Sequence, residues 1–208
     1  MTLIYHIAHI DRLASIFTAG FLYSDAEMRR RNTNGVVVGM QHVKDRRLEK
    51  PVKCFQGLHV GDCVPFYFCP RSVMLYILHK GNHPDMSYNG GERPILHLEF
   101  DAESVKQWAN GENLRVAFTD RNAGSATAEF KNDIAELQSL NWSAIKADDW
   151  RNCMEEKQAE FLVEQRVPVS LLKRIGVKDS GVQQDVWNVM RNAGVANVPV
   201  EVLREWYY

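Results

Sequence analysis

The chain has 208 residues, 45% of them hydrophobic, enough for one substantial core, so a single domain over 1–208 is expected. Its formal net charge of −1 provides no global positive field of the kind that marks many nucleic-acid binders. No apolar run nears the roughly 18 residues of a membrane span and no signal-peptide pattern is present, so the expectation is a soluble, cytoplasmic protein without a membrane partner.

In chain order, Leu3 to His9 reads as a strand and Ile10 to Ala19 as a helix, with Ile10, Leu13, Ile16 and Phe17 on one face and Gly20 as a left-handed cap. Leu22 to Gly35 reads as a loop, and Val36 to Lys50 as a short apolar start followed by a helix that Pro51 ends. Between Met28 and Lys53 the cations Arg29, Arg30, Arg31, Lys44, Arg46, Arg47, Lys50 and Lys53 face only Asp45 and Glu49. A basic helix of this kind is either a solvated surface or a set of phosphate contacts, and a polyanion should meet this segment first. Cys54 to Asp62 leads as a loop into the most informative stretch, GDCVPFYFCPRSVMLY at 61–76.

Within that stretch Val64 to Phe68 has the composition of a buried strand, which Pro70 must stop because it cannot donate to a ladder. Arg71 to Lys80 follows as a helix with Met74, Leu75, Ile77 and Leu78 on its apolar face. A strand that turns into a helix through Cys-Pro-Arg-Ser brings backbone N–H groups and Arg71 to one sheet edge, where a pyrophosphate could be held. Cys54, His59, Cys63 and Cys69 lack the paired CxxC spacing of a zinc knuckle, so reduced thiols and no metal are expected.

Gly81 to Pro94 is a loop of turn formers, long enough to be a binding loop. Ile95 to Phe100 alternates as a strand, Ala102 to Asn110 is a helix closed by Gly111, and Leu114 to Thr119 is another strand. Asp120 to Ala128 is small and polar and reads as mobile, and Phe130 to Leu140 reads as a helix burying Ile134, Leu137 and Leu140. Trp142 and Trp150 stand among polar residues, either as anchors or as stacking platforms. Glu155 to Gln165 ends in a strand whose two faces are Ala159, Phe161, Val163 and Glu160, Leu162, Glu164. A turn and strand over Pro168 to Val177, a helix over Val182 to Asn192 and a strand or short helix over Val198 to Tyr208 complete the chain. Short, irregular links between strands and helices favour an α+β domain with a split or mixed sheet over a regular βαβ array. Neither GxGxxG nor GxxxxGK[ST] occurs.

His6, Tyr67 and Glu160, each on a predicted strand, follow the order of the triad in diphtheria-toxin-like ADP-ribosyltransferases. Four segments resemble the DarT family of DNA ADP-ribosyltransferases more closely: YHIAHIDRLASI at 5–16, VKDRRLEKPV at 43–52, VGDCVPFYFCPRSVMLY at 60–76 and QAEFLVEQRVP at 158–168. The resemblance implies an ADP-ribosyltransferase-like split mixed β-sheet core with surrounding helices. It also implies transfer of ADP-ribose from NAD to a thymine in single-stranded DNA, by a toxin whose partner is a macrodomain antitoxin of the DarG type. NAD is then a co-substrate contacted by His6, Ile7, Ala8, Tyr67, Arg71 and Tyr76. Glu160 is the catalytic carboxylate, assisted by Arg46 or Arg47, and Lys44, Arg46, Arg47, Lys50, Trp142 and Trp150 are DNA contacts. Ala8 stands where the family often has a hydroxyl residue. RNA, protein or water as acceptor is the alternative within the same fold, and a binding module without catalysis is the alternative outside it.

Overall fold

The structure, a computed structural model, describes residues 1–32, 36 and 38–208. Its main sheet is built from β1 (Leu3–His9), β3 (Cys63–Tyr67), β4 (Ile95–Asp101), β5 (Val116–Thr119), β6 (Phe130–Lys131), β7 (Glu160–Glu164), β9 (Arg174–Val177) and β10 (Val200–Val202), after a short β2 (Phe21–Tyr23) that pairs with β8 (Arg166–Pro168) in a second sheet. The order across the main sheet is β10-β9-β4-β1-β3-β7-β5-β6. β9 and β10 run parallel while the other neighbours are antiparallel, so the sheet is mixed, as expected.

Helices cover both faces. On one face, α1 (Leu13–Ala19), α5 (Ala102–Gly111) and α7 (Ser180–Asn192) press Leu13, Phe17, Val105, Val186 and Met190 onto a core with Ile4, Phe66, Phe100 and Phe161. On the other, α4 (Val73–Lys80) packs Leu75 and Leu78 with Tyr5, Ile95, Trp206 and Tyr207. Further along that face Val52, Leu58 and Val60 cover Cys63, Ala117 and Leu162. The remaining helices are α2 (Asp25–Arg30), α3 (Gln41–Glu49) and α6 (Trp142–Lys146). Among the described residues no helix is long and apolar enough to cross a membrane.

The main sheet has a seam. β1 pairs with β4 along its whole length, from Leu3 opposite Asp101 to His9 opposite Ile95. Its pairing with β3 on the other side is confined, among the described residues, to Tyr5 opposite Tyr67. Beyond that pair β1 and β3 part, and the β3-facing edge of residues 6–9 has no strand partner. This is the split that the irregular strand spacing implied.

Several expectations are corrected. The stretch read as a loop from Leu22 to Gly35 contains β2 and α2, because Ser24 caps α2 by accepting from the Glu27 N–H; residues 33–35, and Val37 in the apolar start that follows, lie outside the described residues. Phe130 to Leu140 is not an α-helix but β6 followed by a 3₁₀ turn at Ile134–Ser139, since the three-residue spacing of Ile134 and Leu137 suits either geometry. The left-handed turn after α5 is taken by Asn113 rather than Gly111, which remains helical. Asp120 to Ala128 is anchored, with Ala123 and Ala128 fully buried. The alternation of β4 does not leave one face wet: every residue from Ile95 to Phe100 is buried, because helices or loops lie on both sides.

Burying β4 takes His97 inside, 0% exposed, where its Nε2–H donates to the Pro70 carbonyl at 2.9 Å and braces the corner that ends β3. Desolvation lowers the His97 pKa from 6.5 to about 4, with the Pro70 hydrogen bond opposing the shift. His6 is lowered too, mainly by burial. Below pH 6.5 the unfolded chain gains a proton that folded His97 refuses until about pH 4. Stability that is complete above pH 6.5 should therefore fall by about 3 kcal/mol as the pH drops to 4. Thermal unfolding across this range should show a shallower pH slope for His97→Gln than for the wild type.

Candidate active site

Strand register builds the site. Tyr5 lies opposite Tyr67, and Tyr67 lies opposite Glu160, so the three side chains form a row on one face of the sheet across the seam. Glu160 opens β7 and is 2% exposed. Arg47, near the end of α3, meets it in a two-pronged pair, Nη1 to Oε1 at 3.0 Å and Nη2 to Oε2 at 2.7 Å. The Ala123 N–H adds a third hydrogen bond to Oε1 at 2.9 Å. A carboxylate offers about four acceptor positions, so among the described residues one position on Oε2 is unused. The Glu160 backbone N–H is held by Thr119 Oγ1 at 3.2 Å, which sets the start of the strand.

The charges are locked. Burial alone would weaken the Arg47 cation, but the Glu160 carboxylate more than reverses this and raises its pKa. Tyr67 is raised as well, first by burial and then by Glu160, so it remains a neutral phenol. Lys44 is paired with Asp25 at 2.6 Å. Asp25 influences both His6 and Arg47 electrostatically, which puts this second ion pair beside them.

His6 lies on the opposite face of β1 from Tyr5, as strand alternation requires. Its Nδ1 bonds to the Pro65 carbonyl of β3 at 2.8 Å, reaching across the split. Only an N–H can donate to that carbonyl, so Nε2 is the free acceptor of the neutral ring. Ile7 and Ala8 follow on the β1 edge that lacks a strand partner, with Ala8 buried.

Arg46 and Arg47, adjacent in the basic run, are separated by the helix: Arg47 enters the site while Arg46 stays exposed. Lys50 serves at the α3 end, its carbonyl accepting from Val60 N–H at 2.7 Å. Trp142 turns inward, its Nε1–H donating to Leu137 O at 2.9 Å and its ring edge-on to Phe68. Arg71, Tyr76 and Trp150 form a second group where β3 passes into α4. Arg71 pairs with Asp148 at 3.0 Å, and its Nε is buried without a hydrogen-bond partner. Tyr76 packs edge-on against Trp150 at 5.3 Å.

Three contributors escaped the sequence reading. Ala123 acts through a backbone N–H, which leaves no side-chain signature. Asp25 lay in a stretch read as a loop, although the Ser24–Glu27 spacing is a helix-start pattern. Gly61 makes room for α3: a Cβ built there would come within 2.8 Å of the Leu48 Cα and 2.9 Å of its N.

Arg47→Met should lower stability by about 3–5 kcal/mol, because it leaves Glu160 buried and unpaired. Arg47→Met combined with Glu160→Leu should recover most of that loss in urea denaturation. Gly61→Ala should cost about 1–3 kcal/mol through overpacking and displace α3, read as a lowered urea midpoint.

The family model described as "ssDNA thymidine ADP-ribosyltransferase, DarT" matches residues 5–208. A DNA ADP-ribosyl transferase of Thermus aquaticus is 38% identical over 210 residues, covering 100% of this chain and 89% of that protein. The DarT of Thermus sp. 2.9 solved with ADP-ribosylated single-stranded DNA superposes with a TM-score of 0.89 at 34% identity, covering 100% of this chain and 96% of the other; the same protein solved with NAD+ gives 0.83 at 33%, covering 100% and 98%. A fusion of a DNA ADP-ribosyl transferase with a DNA ADP-ribosyl glycohydrolase from Thermosipho africanus is 26% identical over 202 residues, which is 94% of this chain and 47% of the fusion. A match across nearly the whole sequence, together with the split sheet and the Arg47–Glu160 centre, makes this chain a member of the DarT family of ADP-ribosyltransferases.

Proposed function

We propose that this chain transfers ADP-ribose from NAD+ to a thymine base in single-stranded DNA and releases nicotinamide. The observation that carries this reading is Glu160, buried on β7 one strand beyond the seam and held by Arg47 and Ala123, with an acceptor position on Oε2 not used by either. In the reaction the bond between the ribose and the nicotinamide nitrogen breaks, a bond from the same sugar carbon to the thymine N3 forms, and the N3 proton passes to water, so nicotinamide and a proton leave together.

Glu160 accepts the ribose 2′-hydroxyl and stabilises the positive charge that develops on the sugar as nicotinamide departs. Arg47 orients Glu160 and offers a fixed cation to the thymine as its N3 proton is lost. Tyr67, kept neutral, lines the nicotinamide side. His6, on the other face of β1, presents Nε2 to a hydroxyl on the adenosine side of NAD+, and the edge at Ile7 and Ala8 suits the carboxamide, which needs both a donor and an acceptor. Arg71, with its unpartnered Nε, and Tyr76 flank the pyrophosphate side. Arg46 and Lys50 on α3 meet the DNA backbone, with Lys44 joining them if it leaves Asp25, and Trp142 and Trp150 border the acceptor strand.

We further propose that the domain acts in the cytoplasm as the toxin of a pair whose DarG-type macrodomain antitoxin removes the modification. Support comes from the relative in which a transferase and a glycohydrolase share one chain.

Intact mass spectrometry of a thymine-containing oligonucleotide incubated with NAD+ tests the reading. Wild type should give an ADP-ribose adduct, and Glu160→Ala should slow its formation by roughly 10²–10³. Nicotinamide release with no change in DNA mass would move the acceptor to water, RNA or protein. Arg47→Ala should reduce turnover, whereas Arg46→Ala should leave turnover intact, weaken DNA binding and reduce its salt slope by about one.

A further inference from the structure

Tyr208 links two segments assigned above to different substrates, residues 71–76 and the stretch around Trp150. Its backbone is fixed from behind: the N–H lies 3.2 Å from both carboxylate oxygens of Glu92, and the carbonyl accepts from Lys178 Nζ at 3.1 Å. Glu92 is 3% exposed, so this mooring is internal. The side chain faces the segment between α6 and β7. Its hydroxyl accepts from Trp150 Nε1–H at 3.2 Å and donates to the Arg71 carbonyl at 3.2 Å, using its one donor on one segment and an acceptor site on the other. The Arg71 guanidinium lies over its ring at 4.4 Å, and Tyr76 meets the ring edge-on at 5.1 Å.

We propose that Tyr208 is a positioning residue whose two parts serve the two substrates. The ring holds Arg71 over the phosphate side by a cation–π contact. The hydroxyl fixes Trp150 and thereby the segment 147–155 that leads into Glu160. The inference rests on the assignment of Arg71 to NAD+ and Trp150 to the DNA strand.

Tyr208→Phe keeps the ring and its contact with the Arg71 guanidinium but removes the hydroxyl, and with it the bonds to both Trp150 Nε1–H and the Arg71 carbonyl. The expected result is a KM for a thymine-containing oligonucleotide raised by roughly tenfold, the effect of one lost hydrogen bond, with a clearly smaller rise in the KM for NAD+, because the Arg71 carbonyl loses a bond while its guanidinium keeps the ring. Tyr208→Leu should raise both. Because the hydroxyl acts through Trp150, Trp150→Phe should raise the oligonucleotide KM, and adding Tyr208→Phe to it should raise it little further, a non-additivity that a general loss of stability would not produce. An unchanged oligonucleotide KM in Tyr208→Phe, or equal rises in both KM values, would overturn the proposal. Trp150→Ala distinguishes the two levels: no effect on the oligonucleotide KM would refute the placing of Trp150 on the DNA side, while a rise there without one in Tyr208→Phe would refute the role of Tyr208 alone.

Discussion

A buried guanidinium and a buried carboxylate each need the other. Arg47 and Glu160 stand 113 residues apart in sequence, yet neither charge could be withdrawn from water without its partner. The pair therefore constrains everything that carries it. β7 must present Glu160 on the Tyr67 side of the sheet, and α3 must approach closely enough for a two-pronged contact. Nothing in the apolar pattern of α3 enforces that approach, since the helix has no buried residue. Charge does it instead: Arg29 with Asp45 and Lys44 with Asp25 tie α3 to α2, and Arg47 with Glu160 ties it to the sheet. Gly61 supplies the clearance.

The same sheet face carries a second pair of the same kind. Arg174, Glu99, Tyr5, Tyr67 and Glu160 occupy successive strands in one register, so a polar row crosses five strands. Glu99, 2% exposed, is gripped by Arg174 through Nε and Nη2, both at 3.0 Å, as Glu160 is by Arg47. Two neutral tyrosines separate the two ion pairs, and burial raises the pKa of both hydroxyls. What distinguishes the Glu160 end is its surroundings. Glu99 lies on β4, between β1 and β9, whereas Glu160 lies on β7, on the far side of the seam and one strand removed from it.

How much of this could be read beforehand depended on whether the relevant signal was local. Strands β1, β3 and β7 and helices α4 and α7 carry their own periodicity, and their places in the chain were legible. Glu160 came from the family resemblance instead, since alternation alone puts Glu164 on the same face of β7. Arg46 and Arg47 could not be told apart, because adjacent helical positions differ by about 100° in direction and the weak apolar face of α3 offers no reference. The Asp120 to Ala128 stretch was misread for a related reason: its small residues suggest mobility, while its role depends on a backbone N–H from Ala123 and on burial of alanines beneath Lys53, which donates to the carbonyls of Ala126 and Ala128. The 3₁₀ turn after β6 was hidden by a spacing common to two helix types.

The seam also bears on the order in which the chain can assemble. Its two sides do not correspond to two halves of the sequence. The side holding β1 is completed by β4 and then by β9 and β10, the latter two drawn from residues 174–202. The side holding β3 is completed by β7, β5 and β6 from the middle of the chain. A polypeptide emerging from the ribosome folds what it can from its N-terminal end, and here the strand bearing His6 has both neighbours, β3 and β4, by residue 101, while the outer strands β9 and β10 of its side come last. The strands flanking the seam therefore have all their neighbours only once β7 has been made, and the β1 side is complete only after β10. A nascent chain that stops short of β7 would carry the basic segment with Arg47 but without its Glu160 partner, so the paired centre cannot form before that strand is made.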